Sequence, residues 1–121
     1  FITGNLSIPA VLYESSTVQK ILKTLPIEAK VRLWGEEIYF STPVFSELDD
    51  NATEEQEIGS IAYWPDGQAI CIFFGVTPVS ISDKPRAISP VNPIGKITGD
   101  ITVLKQIKAN SVIKMIISKK K

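Results

Sequence analysis

The chain contains no histidine and a single cysteine in 121 residues. Without histidine, Ser-His-Asp triads, Cys-His dyads and imidazole-ligated metal sites are excluded together. The lone Cys71 cannot close an intramolecular disulfide, so burial has to hold the fold. No apolar run reaches membrane-spanning length and no secretory signal is visible, so a reducing, cytoplasmic setting is expected. The chain opens on Phe1 and not on methionine, which leaves its native start open. Net charge is missing too. Thirteen basic and thirteen acidic side chains cancel, so no overall field draws in nucleic acid or an anionic membrane.

What remains is ample for a core. At 44% hydrophobic and 21% charged, the composition is that of one folded domain, expected over residues 1–121. Carboxylates crowd Glu47 to Glu57 and lysines dominate Lys105 to Lys121; these read as a solvated loop and a frayed tail. The acidic loop offers oxygen ligands, but their order does not fit an EF-hand, and no metal or cofactor is expected. Gly95-Lys96 lacks the remaining residues of a phosphate loop, and the lysine-rich end has no interleaved aromatics for stacking bases. Cys71, between Ile70 and Ile72, reads as a small core residue with a raised thiol pKa. Glu36-Glu37, beside a turn, read as solvated.

The stretch Gly59 to Pro78 organises the rest. Two β-rich runs, Ile58 to Trp64 and Ala69 to Phe74, flank Pro65-Asp66-Gly67-Gln68, where proline presets a turn and glycine is expected to take the positive φ. Earlier, Phe1 to Tyr13 reads as an edge strand kinked at Gly4 and Pro9. Ser16 with Gln19 three residues on forms a capping-box pattern opening a helix, with Val18, Ile21, Leu22 and Leu25 on one face and Pro26 ending it. Glu28 to Trp34 and Glu37 to Ser41 read as strands joined at Gly35. Thr77 to Pro93, with four prolines, reads as a rigid loop without regular pairing. A strand resumes over Val91 to Ile97, Asp100 caps a second short helix through Ile107, Asn110 suits a left-handed stop, and Ser111 to Ser118 closes the chain.

Gly59-Ser60-Ile61-Ala62-Tyr63-Trp64-Pro65 and Cys71-Ile72-Phe73-Phe74-Gly75-Val76-Thr77-Pro78 resemble the signature of a small prokaryotic cyclophilin-like family of largely uncharacterised proteins. Leu25-Pro26-Ile27, Trp34 to Phe40 and Pro90 to Ile97 agree with it in order. The resemblance implies a mainly β fold, a cyclophilin-like closed β-barrel with two short α-helices. True cyclophilins, which it resembles more faintly, carry an arginine, then phenylalanine, methionine and glutamine on adjacent strands, and further on a histidine lining the proline pocket. This chain has no histidine, and Glu36 to Glu57 holds no arginine and no glutamine before Gln56. The resemblance therefore implies the frame and not the activity.

A non-catalytic binding module for a short peptide or small apolar ligand is the expected function, with Tyr63, Trp64, Phe73, Phe74, Arg86 and Asn92 as the candidate pocket near the Thr77 to Pro93 loop. The first alternative is a weak peptidyl-prolyl isomerase with a rebuilt site. That reaction needs no nucleophile, only an apolar pocket and a fixed donor near the proline nitrogen, the role open to Arg86, against a barrier of about 18–20 kcal/mol. The second is a structural subunit of an assembly; a homo-oligomer is possible, and neither nucleic acid nor membrane is expected as a partner.

Overall fold

A computed structural model describes residues 1–117. In chain order its elements are β1 (Ile2–Thr3), β2 (Leu6–Ser7), β3 (Ala10–Leu12), α1 (Ser16–Leu22), β4 (Ile27–Lys30), β5 (Arg32–Trp34), β6 (Glu37–Ser41), β7 (Thr53–Glu55), β8 (Ser60–Trp64), β9 (Ala69–Phe73), β10 (Arg86–Ile97), a 3-10 helix (Ile101–Gln106) and β11 (Val112–Met115). Strands pair into two sheets, β2-β1-β11-β4 and β3-β10-β8-β9-β6-β5, with β7 added along β10. The fold is mainly β, as expected. The expected closed barrel is corrected: among the described residues the hydrogen-bonded order forms two open sheets and does not return on itself.

The β8–β9 hairpin forms the centre of the larger sheet, with Ile61, Ala62, Tyr63 and Trp64 opposite Ile72, Cys71, Ile70 and Ala69. Its turn differs from expectation. The positive φ falls on Gln68 (50°), whose N–H reaches the Pro65 carbonyl at 3.2 Å. Gly67 is wanted for another reason: a Cβ there would lie 2.2 Å from the Trp64 ring. Gly35 does take a positive φ, 59°, at the β5–β6 turn.

Strand alternation sends Ile38, Phe40, Ile61, Tyr63, Ile70 and Ile72 to one face, where they join Ile21, Ile94, Leu104 and Ile113 in the main core. Fully burying each such side chain is worth roughly 1.5–3 kcal/mol. α1 contributes Val18 and Ile21, and its cap is Ser15, one residue before the expected Ser16, with Oγ accepting from Val18 N at 3.1 Å. The second helix is capped by Asp100 as expected but winds as a 3-10 helix, which corrects the expectation of two α-helices. Six residues opening on β-branched Ile101, Thr102 and Val103 suit the tighter, shorter form.

The expected strand Glu28 to Trp34 is two strands. The chain crosses from the smaller sheet to the larger at Val31, whose side chain is fully buried. Val31 N–H donates to the Ser111 carbonyl and its own carbonyl accepts from Asn110 N, both at 2.8 Å, and Asn110 adopts φ 72° as expected. A larger correction concerns Thr77 to Pro93. Pairing begins at Arg86, making β10 the longest strand, and its register shifts between Arg86 and Val91 and between Pro93 and Gly95. Those irregularities let prolines enter a paired strand, because a bulge leaves positions that donate nothing to the ladder. The closing strand ends at Met115; Ser118 and the terminal lysines lie outside the described residues. Among the described residues no helix is long and apolar enough to cross a membrane.

Candidate functional site

Because Ile38 and Phe40 point into the main core, Glu37 and Tyr39 must share the opposite face of the same strand. Antiparallel register adds Trp34, directly paired with Glu37, and Cys71, directly paired with Tyr39. Ala62, Trp64 and Phe73 stand on this face as well. The first part of β10 folds over it, and Ala87 and Val91 close with Ala62, Cys71 and Phe73 into a second, smaller core. Between sheet and cover lies a cavity of about 170 Å³ lined by Trp34, Glu37, Tyr39, Trp64, Cys71, Ala87, Ile88 and Val91.

Two of the walls are fixed. Trp64 Nε1 donates to Ser89 Oγ at 2.7 Å, and Ser89 Oγ donates to Asp66 Oδ2 at 3.1 Å, tying the indole to both the turn and β10. Tyr39 meets Trp64 edge to face, with centroids 6.2 Å apart and planes at 90°. Gly67 packs on the indole where no side chain fits. Gly67→Ala is therefore expected to displace Trp64, shifting its indole N–H resonance and costing about 1–3 kcal/mol in urea unfolding. An unmoved resonance would refute that contact.

Glu37 supplies the one carboxyl of the lining. It is 5% exposed, which corrects the expectation of a solvated residue. Burial pushes its carboxyl up to about 7, with a hydrogen bond from the Cys71 thiol acting in the opposite direction. Cys71 is buried as expected. Burial, then the charge of Glu37 and the hydrogen bond to it, raise its thiol well above the ordinary range. Among the described residues no lysine or arginine forms an ion pair with Glu37. Arg32, across from Tyr39 on the same face, is exposed and outside the lining.

The residues expected to form a pocket are dispersed. Trp64 lines the cavity, and Phe73 sits beside it in the smaller core. Tyr63, one residue from Trp64, faces the main core, its hydroxyl donating to the Val44 carbonyl at 2.8 Å and accepting from Ser46 N at 3.1 Å. Phe74 packs against the main core. Arg86 pairs with Glu54 at 2.9 Å, outside the cavity. Asn92 is fully buried and clamps the acidic loop to α1: Oδ1 accepts from Asp49 N, while Nδ2 donates to the Glu47 carbonyl and Thr17 Oγ1. Trp34, Glu37 and Tyr39 were not anticipated as lining; the signal present was the parity of β6, which forces Glu37 and Tyr39 onto one face.

A groove along Tyr13, Glu55, Glu57, Ile58 and Lys96 is larger, about 350 Å³, but its rim is exposed and its lining mixes both charge signs. The smaller cavity is the better candidate, since apolar walls around few polar groups define a ligand site. Among the described residues no group of three or more His, Cys, Asp or Glu side chains is placed to hold a metal ion.

The solution structure of a hypothetical protein from Archaeoglobus fulgidus is similar to this chain, with a TM-score of 0.72 and 41% sequence identity. The match covers 87% of this chain and 82% of that one. No curated protein is similar enough to match. A family model described as cyclophilin-like matches residues 1–116, nearly the whole length, and the chain therefore belongs to the cyclophilin-like family.

Proposed function

We propose that the protein is a binding module, working in a reducing compartment, whose cavity takes a small molecule with an apolar body or the apolar tip of a short peptide. One observation carries this reading: an aromatic-walled hollow of about 170 Å³ beside β10, with a single carboxyl among its lining groups. An engineered apolar cavity of about 150 Å³ admits benzene, so the space suits one ring or one branched group. The isomerase alternative asks for a fixed donor in the pocket. Arg86 is engaged by Glu54, and the lining contains no arginine, which favours binding over that chemistry.

Both tryptophans of the chain line this cavity, so they report on it directly. Adding phenol or cyclohexanol is expected to shift both indole N–H resonances in a saturable way. Ala87→Leu, which enlarges a buried lining residue, should abolish the saturation. Shifts confined to the groove around Tyr13 and Lys96, with both indoles unmoved, would refute the assignment.

A further inference from the structure

The cavity walls specify the charge of the occupant as well as its size. Trp34, Tyr39 and Trp64 give three aromatic walls, and the perpendicular Tyr39–Trp64 pair makes a corner. Each ring face carries the negative lobe of its quadrupole. Beside them stands Glu37, 95% buried and without a cationic partner among the described residues. No positive charge lines the cavity: β9 supplies the Cys71 thiol, β6 the Tyr39 phenol, and β10 Ala87, Ile88 and Val91, while Arg32 of β5 is exposed on the same face outside the lining and Arg86 of β10 pairs with Glu54. A negative, apolar hollow of this kind disfavours anions. It also disfavours strongly hydrated inorganic cations, because aromatic walls cannot replace a full shell of water oxygens.

We propose, resting on the binding role above, that the cavity recognises an organic ammonium cation, its methyl or methylene groups against Trp34, Tyr39 and Trp64 and its charge against the Glu37 carboxylate. Cation–π attraction to rings and a desolvated carboxylate act together on such a group, and both act far less on its neutral carbon analogue. The carboxyl is ionised above about pH 7, so the charged site forms as pH rises through that value. Cys71, held well above its ordinary range, does not titrate in that window.

The test compares choline with 3,3-dimethylbutan-1-ol, its uncharged isostere, by calorimetry and by the two indole resonances. At pH 8 choline is expected to bind at least about tenfold more tightly than the isostere. Its affinity should fall between pH 8 and pH 6 while that of the isostere stays level. Glu37→Gln should lower choline affinity by about tenfold or more and leave the isostere unchanged, and Trp34→Leu should weaken choline severalfold. Trimethyllysine amide serves as a second arm, and tighter binding than choline would assign the cation to a modified side chain of a peptide. Equal binding of choline and the isostere, or a choline affinity level with pH, overturns the ammonium assignment while the apolar pocket stands. If choline, the isostere and the ring compounds all leave the indoles unmoved, the binding role falls with it.

Discussion

At pH 8, Glu37→Gln is expected to raise the unfolding free energy by about 3 kcal/mol. Burial lifts this carboxyl from 4.5 to about 7, so the folded chain holds the proton more tightly than the unfolded chain does. Stability contributed by the neutral acid is therefore present at low pH and is lost as pH rises from 4.5 through 7, at about 1.4 kcal/mol per pH unit. Glutamine never ionises, so it escapes that loss. Its side chain keeps a carbonyl acceptor beside the Cys71 thiol, and its volume is nearly the same. Unfolding free energies of the two proteins from urea titrations should differ by under about 1 kcal/mol at pH 5 and diverge by pH 8. A constant difference across the range would show that Glu37 ionises as an ordinary surface carboxylate. The proposed binding role would account for a carboxyl placed where a neutral group is more stable.

Asn92→Ala is expected to destabilise the fold by about 3–5 kcal/mol at any pH between 5 and 8. The amide makes three hydrogen bonds from full burial, to Asp49 N at 2.9 Å, the Glu47 carbonyl at 2.8 Å and Thr17 Oγ1 at 3.2 Å. Alanine strands the first two backbone groups, each at about 1–3 kcal/mol, and leaves a void as well. Thr17 keeps Ser46 Oγ as a partner at 3.0 Å, which limits its share. Urea unfolding gives the total, and limited proteolysis should show earlier cleavage within residues 42–57 than in the parent chain. A loss below 1 kcal/mol would mean that the acidic loop is held by something other than this clamp.

Much of the frame was legible because local rules suffice for it. The β8–β9 hairpin, α1, β6 and the Asp100 cap follow from alternation, helical spacing and capping chemistry within a few residues. The strand over Val91 to Ile97 was legible, but the first part of β10, Arg86 to Pro90, was hidden because the surrounding prolines argue against pairing, and the bulges that admit them depend on where β7 and β8 sit. The candidate site was harder still. Tyr63 and Trp64 are adjacent aromatics on opposite faces, and alternation states that they diverge without stating which one meets the larger core. Glu37 read as solvated because its cover, residues 86–91, is fifty positions away and was itself read as loop. Arg86 read as free because its partner, Glu54, lies in a stretch with no local signal of where it returns.

Val31 has one further consequence. A single uncut run of backbone serves the smaller sheet up to this residue and the larger one immediately after it, like a crease shared by two panels of folded paper. Neither panel peels off without dragging its neighbour, since the crease is pinned to Asn110 and Ser111 near the far end of the chain. The two open sheets are therefore expected to come apart together in one transition.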